Sequence, residues 1–175
     1  GKENSSQAFT VNREGEIQFP KLGPIVVAGL SFTDVKALIA NVVEEQMLGV
    51  KVSVTMGALR SIRIFILGDA NFPGSYTVNS LSTMTNALFA SGGISTMGSL
   101  RNIQLKRGGK LVTTLDLYNL LLKGDTSSDA RLLPGDVIFI PPIGKTAGVS
   151  GEVRRPAIYE LKHEKNSAEL VALAG

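Results

Sequence analysis

The chain carries one histidine, His163, and no cysteine. A transition-metal site built on imidazole or thiolate gathers several such ligands, so His163 reads as a loop residue and no metal is expected. Neither Ser91-Gly92 nor Ser150-Gly151 lies in the glycine pattern that exposes a nucleophilic serine on a strand-to-helix turn. The stretch Gly93-Ile94-Ser95-Thr96-Met97-Gly98 has the glycine spacing of a phosphate loop. However, Ser99 stands where the lysine is needed, and the stretch follows a helical pattern, so it reads as a helix stop. Asp125 and Asp129 lack the spacing of a calcium loop and read as a solvated turn. Glycan cleavage needs two facing carboxyl groups. Glu14 and Glu16 flank a turn glycine, while Glu44 and Glu45 are adjacent on a helix; both pairs read as exposed faces. No catalytic residue and no cofactor is expected, and the chain reads as a non-enzyme.

The cations remain. Residues 61–145 hold eight Lys or Arg against five Asp, whereas the flanking segments balance. Arg101, Lys106 and Arg107 lie in or beside a hairpin pattern, and Arg154 and Arg155 in a turn. Two readings stay open for them. They are ordinary solvated charges on outer faces, or they line a path for an acidic polymer.

These residues need elements to hold them. The 175 residues suffice for one large domain or two small ones, with 43% hydrophobic and 19% charged residues, the balance of a soluble globular chain. A net charge of +3, no long basic run and 6% aromatic residues argue against a nucleic-acid partner. No apolar run reaches the roughly 18–20 residues that cross a bilayer as a helix. The first seven residues contain no signal-peptide core and read as an internal start.

Alternation and turn residues predict short strands over 11–30. Ser31 predicts a helix start with Asp34 in its first turn, and Gly49 a stop. Val50, Val52, Val54 and Met56 alternate with polar residues and predict a strand buried on one side. After Gly57-Ala58, Ile62, Ile64 and Ile66 predict a strand and residues 75–78 a second. A helix is expected over about 81–91, with Leu81, Met84 and Leu88 on one face. Gly108-Gly109 predicts a hairpin. A short helix is expected from Asp116 to Leu122, and a strand over 137–140.

A repeat at an offset of 83 residues overlies this pattern. Gly68, Pro73, Tyr76 and Gly92 recur as Gly151, Pro156, Tyr159 and Gly175, and Val78 and Leu88 as Leu161 and Val171. Strand, turn, strand and glycine-stopped helix are thus written twice. The second copy reaches Gly175 before its own hairpin and last strand. The natural chain is therefore expected to continue, and the second copy to lean on its neighbour or to borrow strands from another molecule.

Residues 11–56 resemble the later part of a polysaccharide biosynthesis/export domain, through Val11-Asn12-Arg13-Glu14-Gly15-Glu16-Ile17-Gln18-Phe19-Pro20, Leu22-Gly23, Val27-Ala28-Gly29-Leu30-Ser31 and Val50-Lys51-Val52-Ser53-Val54. Residues 60–141 resemble a soluble-ligand-binding β-grasp (SLBB) domain. Its marks are Ile66-Leu67-Gly68, Phe72-Pro73-Gly74-Ser75-Tyr76, Ala90-Ser91-Gly92-Gly93-Ile94, Asp116-Leu117 and Leu133-Pro134-Gly135-Asp136-Val137-Ile138-Phe139-Ile140-Pro141. Residues 149–175 resemble the opening of a second such domain. The expected class is α+β: a strand-rich export-domain fragment over 1–57, a first β-grasp domain over 58–145 and a truncated second one over 146–175.

That order resembles the layout of outer-membrane exporters for capsule or exopolysaccharide. The resemblance implies the periplasmic part of an oligomeric, ring-forming conduit without catalysis, outer-membrane associated in the full-length protein. The implied partners are a polysaccharide and an inner-membrane copolymerase or export protein. The family's lipid-modified cysteine, the start of its export domain and its C-terminal membrane-spanning helix do not occur in these residues. Under this reading Arg101, Lys106, Arg107, Arg154 and Arg155 are the candidates for polymer contact. The alternative is a saccharide-binding or scaffold module of a polysaccharide assembly complex.

Overall fold

A computed structural model describes residues 6–47 and 49–175. The reading of residues 1–5 as part of an internal start lies outside the described residues. The chain divides into two compact units, Gly1–Ala58 and Leu59–Gly175.

In the first unit, β1 (Glu16–Phe19) and β2 (Gly23–Val26) form an antiparallel pair that sets Ile17 opposite Ile25. Both are buried with Val27, Ile39 and Val43. Gly15 takes a positive φ, and a side chain there would run into the methyl group of Ala28. Helix α1 (Phe32–Gln46) begins with a capping box: the Ser31 hydroxyl accepts from the Asp34 amide while the Asp34 carboxylate accepts from the Ser31 amide. Its inner face is Val35, Leu38, Ile39, Val42 and Val43; Lys36, Glu44 and Glu45 face out. The segment over 50–56 departs from expectation. Val52 and Val54 pack on the core, but no described strand pairs with the segment, and Val50 and Met56 are exposed. Alternation decides which side chains turn inward; a strand also needs a neighbour with free amides and carbonyls.

The second unit opens with a five-stranded sheet in the order β4-β3-β7-β5-β6. Its strands are β3 (Ser61–Gly68), β4 (Gly74–Asn79), β5 (Ile103–Arg107), β6 (Lys110–Leu115) and β7 (Val137–Ile140). β3 and β7 run parallel at the centre, and every other pairing is antiparallel. Helix α2 (Met84–Ala90) and helix α3 (Leu117–Lys123) lie on one face. There Ile64, Ile66, Ile103, Leu105, Ile138 and Ile140 bury their side chains against Met84, Leu88 and Leu117. Helix α2 starts later than the pattern predicted, because Thr83 and Asn86 form a capping box that fixes its first turn. Leu81 therefore precedes the helix and is exposed, and Ala87 takes its place on the inner face. Helix α3 is capped by Asp116, which accepts from the Tyr118 amide, and ends at the left-handed Gly124.

The second copy follows at once: β8 (Thr146–Val149), antiparallel β9 (Ala157–Glu160) and helix α4 (Ser167–Ala174). The 83-residue repeat survives in atomic detail. The Tyr76 hydroxyl donates to the carbonyl of Phe72 at 2.5 Å, and the Tyr159 hydroxyl to that of Arg155 at 2.6 Å. Thr83 caps α2 and Asn166 caps α4, each with a residue three positions on completing the box or accepting its bonds.

Gly68 and Gly151, equivalent in the repeat, both hold a positive φ, but only Gly68 is crowded: a Cβ there would strike the carbonyl oxygen of Ile140. A left-handed backbone costs a side-chain-bearing residue about 1–2 kcal/mol. Gly151→Ala should therefore lower stability by about 1 kcal/mol, and Gly68→Ala by at least twice as much, because it also forces β3 away from β7. Urea unfolding of the two variants checks the difference.

Candidate functional site

The polar centre of the second unit lies where the second copy meets the first. Tyr159 and Glu160 close β9 and are both buried, and Glu160 turns onto the loop that precedes β5. Glu160 is only 5% exposed. One carboxylate oxygen accepts from the Ser99 hydroxyl at 2.6 Å and the Gly144 amide at 3.1 Å. The other accepts from the amides of Leu100 at 2.9 Å and Arg101 at 3.2 Å. Four donors from the first copy and its outgoing segment thus converge on one carboxylate, which satisfies it without a direct side-chain cation.

Charged side chains surround it. Arg101 reaches Asp116 at 3.3 Å, Glu164 at 2.8 Å and the Glu160 carbonyl at 2.9 Å. Lys162 donates to the Arg101 carbonyl at 2.9 Å and sits 3.4 Å from Asp116. Tyr118 lies under the Arg101 guanidinium, meets Tyr159 edge to face, and accepts from the Glu160 amide at 2.9 Å. Burial would raise the Glu164 carboxyl, but the Lys162 amide and Arg101 outweigh it and bring its pKa down to about 2. Burial would likewise lower the Arg101 pKa, yet Glu164 and Asp116 raise it. Burial holds the Tyr118 phenol above its ordinary value. A cleft of about 350 Å³ opens beside this joint, lined by Asn102, Pro142 and Leu161 among others.

The five candidate cations are therefore not one cluster. Arg101 is buried at the joint, its charge turned inward. Arg107 grips the fully buried Asp136 with two 2.8 Å bonds, which also raise its own pKa and pin the Pro134-Gly135 turn. Asp136 in turn accepts from the Leu133 amide. Lys106 alternates to the helix-free face of the sheet, with its ammonium 4.5 Å from the centre of the Phe139 ring. Arg154 and Arg155 are exposed in the turn before β9, and this turn seals the end of α4. There the Arg154 amide donates to the Gly175 carbonyl, and the Arg155 guanidinium to that of Leu173. Among the other expectations, His163 is exposed, and Asp125 caps the Ser127 amide. Asp129 departs from the solvated-turn reading: it is half-buried and accepts from the amide and hydroxyl of Thr85.

Sequence reasoning missed Ser99, Tyr118, Glu160, Lys162 and Glu164 as a set. One signal was available: the repeat places Glu160 at the position of the exposed Thr77, a carboxylate newly written into a strand.

The joint makes two predictions. Glu160→Ala leaves four donors without their acceptor and should cost about 3 kcal/mol, with the Leu100 and Arg101 amides losing hydrogen-exchange protection. Thr77→Ala should cost under about 0.5 kcal/mol. Because the folded-state pKa of Glu164 lies below its ordinary 4.5, its contribution is complete above that value and is lost as pH falls toward 2. Acid titration of unfolding should show stability falling across that window, and Glu164→Gln should flatten it.

Residues 1–57 match the family described as polysaccharide biosynthesis/export protein, and residues 62–140 and 146–175 match SLBB domains. The polysialic acid transport protein KpsD of Escherichia coli is 29% identical over 157 residues, covering 89% of this chain and 28% of that protein. The EPS I polysaccharide export outer membrane protein EpsA of Ralstonia solanacearum is 32% identical over 152 residues, covering 85% of this chain and 40% of its own length. The chain thus spans less than half the length of these relatives.

Proposed function

This chain joins a polysaccharide biosynthesis/export segment to two SLBB segments, and from that premise we propose that it is part of a bacterial outer-membrane polysaccharide exporter. The order of the segments carries the reading. β-grasp modules alone fit many roles, but an export segment followed by SLBB domains runs in register with relatives named for polysaccharide transport and export.

The chain forms a periplasmic section of a conduit. A moving polymer must not be held tightly, so the wall should offer many weak polar contacts in place of one deep site. Two features support this. The most concentrated polar cluster is used internally, to fasten one β-grasp copy to the next. Lys106 and the adjacent pair Arg154-Arg155 stand apart from it, at or near the surface and in different copies of the repeat. The conduit is a homo-oligomeric ring, acts without catalysis and takes its polymer from an inner-membrane copolymerase or export partner. No helix among the described residues is long and apolar enough to cross a membrane.

Deletion of the gene in its native host should strip polysaccharide from the cell surface and leave polymer in the periplasm, with rescue by the full-length gene. Fractionation of surface and periplasmic polymer makes the measurement. Unchanged surface polymer would instead favour a saccharide-binding or scaffold role.

A further inference from the structure

One face of the five-stranded sheet is covered by α2 and α3, and the other carries no helix of its own copy. Strand alternation and register set its composition. Ser75, Phe65, Val137 and Lys106 form one row across four strands, and Leu67, Phe139 and Gln104 a second beside it. Arg63 continues the β3 side of the same face. Phe65 is 37% and Leu67 41% exposed, and Arg63 is exposed. Val137, Phe139 and Lys106 are half-buried.

The charge on this face has one sign. Residues 58–145 contain no glutamate at all. Of their five aspartates, Asp116 and Asp136 are buried in ion pairs, Asp129 is bound to Thr85, and Asp125 caps Ser127. Asp69 lies past the end of β3, its amide bonded to the Ile140 carbonyl. None of these carboxylates sits in the rows described, which hold Arg63 and Lys106. Two phenyl rings and two cations thus share one face of the sheet, with one cation already over one ring.

We propose that this face is a contact surface for an acidic polysaccharide, the C–H faces of its sugar rings resting on Phe65 and Phe139 while its carboxylates meet Arg63 and Lys106. The inference rests on the export reading and names the class of polymer. Three physical points carry it. Aromatic rings present apolar surface to the C–H side of a pyranose without needing directed hydrogen bonds. A same-sign rim without carboxylates attracts a polyanion and repels a basic partner. An open sheet gives weak, repeatable contacts, since exposed ion pairs are each worth at most about 1 kcal/mol. A second copy of this chain, with its net charge of +3, is the poorer electrostatic match.

The isotope-labelled chain is titrated with a short oligogalacturonate and, at equal ionic strength, with a neutral malto-oligosaccharide of the same length. Amide shifts at Phe65, Lys106 and Phe139 with the acidic sugar alone support the proposal. So does about fivefold weaker binding in the Arg63→Gln, Lys106→Gln double variant. The response should vanish near 1 M salt, where screening acts over about 3 Å. Equal response to the neutral sugar, or shifts confined elsewhere, overturns it. Broadening of the same amides with protein concentration alone also overturns it and assigns the face to a second copy. The gene deletion judges the export reading separately: export lost on deletion, with no sugar-dependent shift on this face, sinks the surface and leaves the exporter standing.

Discussion

A carboxylate taken out of water must find donors, and Glu160 finds all of its own on the neighbouring copy. That requirement fixes much else in the second unit. Ser99 must be buried, so the loop before β5 folds inward and its amides point at one spot. Gly144 must approach from the other side, which sets the path of the chain between β7 and β8. Arg101 cannot remain free beside so much negative charge, and Asp116 and Glu164 complete its neutralisation. The joint is held by polar groups around the Tyr118–Tyr159 ring contact, unlike the aliphatic core of the sheet. Oily contacts tolerate sliding; directed bonds to one carboxylate permit a single registration of the two copies.

Elements whose signals are local were legible in the sequence. Ser31 and Asp34 announced α1, Asp116 and Gly124 bracketed α3, and the alternation of Ile62, Ile64 and Ile66 matched β3. The repeat was legible too, because turn glycines, prolines and tyrosines recur at one offset. What escaped reading depended on partners distant in the chain. Val50 to Met56 alternates as a strand does, yet among the described residues it has no ladder. Arg101 and Glu160 are separated by 59 residues, and nothing near either one marks the other as its neighbour. Position alone made Arg101 and Lys106 look alike; Arg101 lies in the loop before β5 and turns into the joint, while the pleat of β5 sends Lys106 to the open face.

The two faces of the five-stranded sheet divide the labour. One is closed by α2 and α3 over isoleucine and leucine, and this provides cohesion. The other is bare of helices and carries aromatic and cationic side chains. A sheet with one finished face can hold its shape while the opposite face changes composition freely. That arrangement would suit the conduit proposed above, whose lining must fit a particular polymer.

The tyrosine hydroxyl that ties down the loop four residues before it occurs in both copies with the same partner atom and nearly the same length. Each copy therefore stabilises its own entry turn with a fastening that does not consult its surroundings. Architecture built this way grows by whole storeys: adding a copy extends the structure by one fixed step, and only the contact between floors has to be designed anew. Evolution can thus alter the height of such an assembly in discrete increments while leaving the plan of each floor untouched.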